Sequence, residues 1–283
     1  MRISLPLAVF LLVLAAPARA ERDPQSGAPL PPGKPPPANP ITDHFFAQAA
    51  FFDPRFNTNL RVDPSPPVPG VMGTPVNAEN DLGLPDRQPQ VTVELMFRMR
   101  NRNKVRLGYF ESNRSGSKVL ENDVRFGNEI FAHGELVDSS INFRMFDLTY
   151  TYSFYRSDRF EIGTGLAAYF VQLDAMGLVP ATFQQQSVSA AEPIPALPLD
   201  FTWVISSRFA VTARGAYMTA TLNGFHGWIV DSEETIQYRW LRNFAIGLGY
   251  TSTRMSLTKS TGSSPGVFGL SIGGLEAFVR FSF

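Results

Sequence analysis

The chain has 283 residues, no cysteine, 25 basic against 25 acidic side chains, and 44% hydrophobic content. Balanced charge leaves no basic field for nucleic acid. The lack of cysteine excludes disulfides and a lipid-modified N-terminal cysteine, and the composition suits neither disorder nor a helical membrane protein.

Residues 1–20, MRISLPLAVFLLVLAAPARA, place Arg2 before an apolar run from Leu5 to Ala16 and end on Ala18-Arg19-Ala20. That order predicts a secretory signal peptide cleaved after Ala20. A membrane-anchoring helix is the competing reading, but the run is short of the roughly 20 residues a spanning helix needs. Eight prolines follow between residues 21 and 40. They prevent helix and ladder alike, so residues 21–42 are expected to be an extended tether. A ligand for a proline-binding partner is the lesser alternative. Residues 43–283 are assigned to one folded domain.

Period-2 alternation dominates that domain. A first strand fits within 44–62, with Pro54 at a bend or bulge. VTVELMFRMR (91–100) alternates cleanly, turns at 101–103, and returns as KVRLGYF (104–110). Further strand pairs are predicted at 145–154 and 159–170, 194–205 and 209–219, and 228–238 and 244–252. A last strand forms the C-terminus, GGLEAFVRFSF. Short turns near 101–103, 155–158, 206–208 and 239–243 alternate with longer polar segments at 63–89, 115–138, 175–193, 221–227 and 258–266. This predicts an all-β, up-and-down antiparallel meander of about ten strands, eight being the alternative, with both termini at the short-turn end.

Alternation alone also fits a soluble sandwich or a lipocalin-like barrel. The less aliphatic face decides between them. It carries small residues (Gly163, Gly165, Ala167, Ala245, Gly247, Gly249) and isolated charges: Glu94, Arg98, Arg106, Asp147, Glu161, Asp200, Arg214, Asp231, Glu233, Glu276 and Arg280. Small residues with opposite charges suit the crowded lumen of a narrow barrel, and the aliphatic face then meets lipid. A closed barrel satisfies every backbone group in hydrocarbon. Tyr109, Tyr152, Phe154, Phe160, Trp203, Tyr217, Tyr238 and Tyr250, near strand ends, match aromatic girdles. Three prolines and one acid resist the pattern. Pro54 fits a bend or bulge, whereas Pro195 is expected before the membrane zone and the alternation gives Pro198 no place. Strict parity sends Glu234 outward, which implies a shifted register or a position near headgroups.

The ending FVRFSF resembles the terminal signature of bacterial outer-membrane barrels. GTPVNAENDLGL (73–84), NRNKVRLGYFESNRSG (101–116) and LTYTYSFYRSDRFEIGTGLAAYF (148–170) resemble a broad, mostly uncharacterised group of small proteobacterial outer-membrane barrels. The resemblance implies a Gram-negative outer-membrane location, contact with outer-membrane lipid and lipopolysaccharide, and assembly machinery that reads Phe281 and Phe283. It implies no activity.

Chemistry-bearing motifs are scarce. His44 lies at the start of the first strand, with His133 and His226 in long loops. A Ser-His-acid set around His133 or His226 with Glu135 or Asp231 is unconstrained by spacing. The paired-aspartate and Asp-His pattern of barrel proteases has no local match. Oxygen-rich segments 77–86 and 120–129 lack Ca²⁺-loop spacing, zinc-type clusters are missing, and there is no phosphate-binding loop. No metal or cofactor is expected. The leading expectation is a monomeric, non-enzymatic, porin-like envelope barrel whose loops serve surface interaction or envelope integrity. A narrow or gated channel for small or apolar solutes and a lipid- or peptide-hydrolysing barrel are the alternatives.

Overall fold

The structure, a computed structural model, describes residues 39–66, 68–180, 184–222, 225–259 and 265–283, with backbone alone at 184–193, 220, 222 and 225. The expected signal peptide and most of the tether lie outside the described residues.

The strands are β1 (Phe45–Val62), β2 (Val76–Asn77), β3 (Gln90–Met99), β4 (Asn103–Val119), β5 (Val124–Phe126), β6 (Glu129–Phe131), β7 (Leu136–Arg156), β8 (Phe160–Val179), β9 (Gln184–Val204), β10 (Phe209–Leu222), β11 (Phe225–Leu241), β12 (Phe244–Lys259) and β13 (Gly266–Ser282). Ten of them form one antiparallel ring in the order β1-β3-β4-β7-β8-β9-β10-β11-β12-β13, and β13 pairs back onto β1 from Phe46↔Ser282 to Val62↔Gly266. Closure leaves the sheet no free edge at its seam. The short β2 lies against β1, and β5 and β6 form a separate hairpin. Residues just before β1 pack against the ring. Asn39 Oδ1 accepts from the amides of Ile41 and Thr42, and Ile41, 2% exposed, packs with Val204 and Ala210 at the turn end of the ring.

The strands run well past their expected limits at the loop end. β7 has 21 residues and β8 has 20, about twice the roughly 9–11 that a tilted strand needs to cross hydrocarbon. Most of the expected loop 175–193 is strand, and 115–138 holds the end of β4, the β5–β6 hairpin and the start of β7. The cause is a reversal of polarity along the longer strands, seen on β1, β4, β7, β8, β12 and β13. Near the turn end the outward side chains are apolar: Tyr152, Tyr150, Leu148 and Phe146 on β7, and Leu275, Val279 and Phe281 on β13. Further up β7 the same face continues as Arg144, Asn142, Ser140 and Asp138, while the inward face becomes Phe143, Ile141 and Val137. The change falls at one level across neighbouring strands, since Glu111 pairs with Arg144 and Arg144 with Gln172. Below it the barrel has a lipid-suited exterior; above it the barrel is built like a water-soluble one, apolar inside and polar outside.

The awkward residues fall into place individually. Pro54 is buried two residues beyond the last β1–β3 pair, Phe52↔Gln90. Pro195 faces outward above the last β9–β10 pair, Tyr217↔Leu197. Pro198 interrupts the β8–β9 ladder, which skips from Thr164↔Leu199 to Ala167↔Ala196, and the Thr164 hydroxyl donates to the Pro198 carbonyl at 2.7 Å. Glu234 does point outward, between Ala213 and Tyr250. The register is continuous there, the only β11–β12 shift lying between Arg239 and Leu241.

Candidate functional site

All eleven lumenal charges read from parity lie on inward-facing positions of the ring, at two of three stacked levels. The lowest level, nearest the turns, is an ion-pair network. Arg98 holds Glu161 through two hydrogen bonds of 2.5 and 3.0 Å, and Ser153 donates to the same carboxylate at 2.6 Å. Arg106 holds Asp200 in the same fashion at 2.5 and 2.9 Å. Lys104 bridges the two acids, its Nζ 3.5 Å from Glu161 and 3.3 Å from Asp200. Paired two-bond geometry is what a planar guanidinium offers a carboxylate. Arg239 pairs with Asp43 at 2.5 Å, which ties the segment before β1 into the mouth.

Arg280 does not pair with Glu276. Its guanidinium donates to Gln48 and Gln237 and lies over the rings of Phe46, 4.2 Å from the centroid, and Phe278. Parity alone would have added Lys104 to the sequence-derived set, because it precedes Arg106 by two. Asp43 stands just before the first expected strand and Arg239 in an expected turn, so neither belongs to an alternating stretch. Gln48 and Gln237 carry no charge, so a search for charges passes over them.

The middle level is acidic. Arg214 binds Glu94 through both carboxylate oxygens, at 2.8 and 2.7 Å, and Glu233 at 2.6 Å. Asp231 accepts from the hydroxyls of Thr253 and Tyr169. Asp147 and Glu276 complete the group, and among the described residues neither has a cation at ion-pair distance. These five acids and Arg214 surround a cavity of about 130 Å³.

The upper level is apolar. Phe52, Phe110, Phe143 and Phe268 follow one another across the interior with ring centroids 6.0–6.4 Å apart, packed with Ile141, Val171, Leu173, Leu270 and Ile272. Val124, Phe126 and Phe131 of the β5–β6 hairpin and Leu84 of the β1–β3 connection join this core. Glu79 fastens that connection, accepting from the Thr58 amide at 2.8 Å and from Arg114 at 2.5 Å.

The oxygen-rich segments are consumed by such local bonds. Asp81 accepts from the Asn77 amide, Asp123 from the His133 amide, and Glu121 pairs with Lys118. Among the described residues no three acidic or imidazole side chains are grouped to hold a metal ion. The His133 ring meets the Glu121 carbonyl and the His226 ring the Thr221 hydroxyl, each through Nδ1. Neither ring is hydrogen-bonded to a carboxylate among the described residues. His44 serves through its backbone, donating to the Phe283 carbonyl and accepting from the Arg98 amide.

At the turn end the exterior is ringed by aromatic pairs: Phe160 stacked on Trp203, Phe209 beside Tyr238, Phe244 beside Phe281, and Phe45 beside Phe283. Amphipathic and aromatic rings at this height match the interfacial girdle of membrane barrels.

No protein-family model and no curated protein sequence matches the chain. Solved structures do. The outer membrane protease OmpT from Escherichia coli aligns with a TM-score of 0.50 at 10% identity, over 86% of this chain and 98% of that one. The translocator domain of the autotransporter NalP from Neisseria meningitidis gives 0.42 at 9% identity, over 85% and 89%. Ail, the attachment invasion locus protein of Yersinia pestis, gives 0.35 at 10% identity, over 86% and 100%.

Proposed function

The chain folds as a β-barrel of the bacterial outer-membrane type, and from that premise we propose that it is a closed, non-enzymatic envelope protein. Its role is to hold a stiff, polar-surfaced extension outside the membrane for surface interaction or envelope integrity. The observation that carries this reading is the filled interior. The Arg98–Glu161–Lys104–Asp200–Arg106 network occupies the turn-end level and the phenylalanine core occupies the loop-end level. Ten strands enclose little more than the eight-strand barrels that side chains alone fill, so a solute would have to displace both layers.

In this reading the turn end is periplasmic and the loop end faces outward. Exposed Arg55 and Arg254 stand above the apolar belt, at the height where lipopolysaccharide phosphates are met, and guanidinium chemistry suits phosphate. Purified wild-type protein in planar bilayers is expected to give no single-channel steps. Reproducible steps would replace this reading with the channel.

The C-terminus serves assembly. Phe281 and Phe283 are more than half exposed on the outer face, while Phe45 and Phe283 exchange backbone hydrogen bonds that seat the last residue on β1. Deleting Phe283 is expected to lower the heat-modifiable outer-membrane fraction several-fold, and Phe283→Trp to restore it. Equal insertion of all three forms would remove the assembly role.

A further inference from the structure

The middle level of the lumen has more acid than its cations balance. Among the described residues Arg214 alone pairs with Glu94 and Glu233, Asp231 has only hydroxyl donors, and Arg106, which also lines the cavity, is held by Asp200. Glu276 is 7% exposed, lines the cavity, and its Oε1 has no hydrogen-bond partner. Asp147 lines the same cavity with no cation at ion-pair distance among the described residues.

Both carboxylates are held over bare backbone. A Cβ added at Gly108 would collide with Asp147 Oδ1, and one at Gly249 would come within 2.8 Å of Glu276 Oε1. Two glycines on the inner wall thus make room for two acids that, among the described residues, have no side-chain cation at ion-pair distance. An uncompensated buried carboxylate is costly by several kcal/mol, roughly, unless a cation or a proton joins it.

The space says which kind of cation. Ca²⁺ takes about six to eight oxygens at roughly 2.3–2.6 Å, and among the described residues the acids are not grouped to hold a metal ion. A cavity of about 130 Å³ is instead close to the roughly 150 Å³ that admits a benzene-sized guest. Its ceiling is aromatic, from Tyr169, Phe52 and Phe110, an apolar surface against which an alkyl chain packs. The cavity also reaches the outer wall. The β3–β4 ladder ends at Val93↔Tyr109, and both of these half-exposed outer-face residues form part of its lining.

We propose that this cavity binds a small organic cation of the alkylammonium class, its charge between Asp147 and Glu276 and its carbon chain against the aromatic ceiling. The proposal goes beyond the closed-barrel reading and is independent of whether the protein conducts. Calorimetric titration of the full-length barrel in lipid nanodiscs with n-butylammonium, at neutral pH, tests it, with n-butanol as the uncharged isostere. Saturable binding of the cation and none of the alcohol is expected. Asp147→Asn and Glu276→Gln should each weaken binding by about tenfold or more. No saturable heat from the cation would overturn the proposal and leave the acids protonated. Equal affinity in wild type and both variants would place the cation elsewhere and overturn it too. If a variant fails to insert, the wild-type comparison of cation with alcohol decides alone.

Discussion

Asp200→Ala is expected to destabilise the barrel by about 3–5 kcal/mol, the usual consequence of removing one member of a buried pair. Asp200 is 2% exposed and accepts two hydrogen bonds from Arg106, one from Thr151, and the charge of Lys104. Without it, the Arg106 guanidinium and the Lys104 ammonium face each other in the buried lumen, with only Glu161, already held by Arg98, beside them. Lys104→Met makes the contrast, because it removes the surplus cation and leaves Glu161 with Arg98 and Asp200 with Arg106. Its effect should be small. Urea unfolding in micelles, followed by loss of heat-modifiable migration, reads both. Equal midpoints for Asp200→Ala and wild type would mean that the network contributes nothing net.

Phe143→Ala is expected to cost a similar amount, about 3–5 kcal/mol, but at the other end of the molecule. The Phe143 ring sits between Phe110 of β4 and Phe268 of β13, joining strands from opposite parts of the ring. The loop-end half is held by this core, since its outer face is polar and gains nothing from lipid. The variant should therefore become sensitive to protease at the β5–β6 segment, residues 120–135, while the belted half still migrates as a folded barrel. Uniform unfolding of both halves would show that they form one cooperative unit.

These two expectations rest on parts that were unequally legible in the sequence. Where outward residues meet lipid, alternation and small inner residues mark strand and face alike, as in VTVELMFRMR or RFEIGTGLAAYF. Charges on the inner parity, from Glu94 to Arg280, could be picked out there by position. Beyond the belt the same strands stay regular but exchange their faces. INFRM in β7 then reads as the end of one pattern rather than its continuation, and the sequence up to Leu136 reads as loop. Register supplies what parity does not. That Arg106 meets Asp200, 94 positions on, and that Arg280 prefers two glutamines and two rings to Glu276, depends on which strands are neighbours across the lumen.

The exchange of faces along the longer strands also bears on how the protein gets across. Arg55, Arg144 and Arg254 lie on the outer face above the belt. In the proposed orientation each must traverse hydrocarbon, where an arginine exposed to lipid at mid-depth costs about 2–4 kcal/mol. The same segments are apolar on the opposite side, at Phe56, Phe143 and Met255. A lone strand in transit would therefore show lipid its charged side or leave its backbone unpaired.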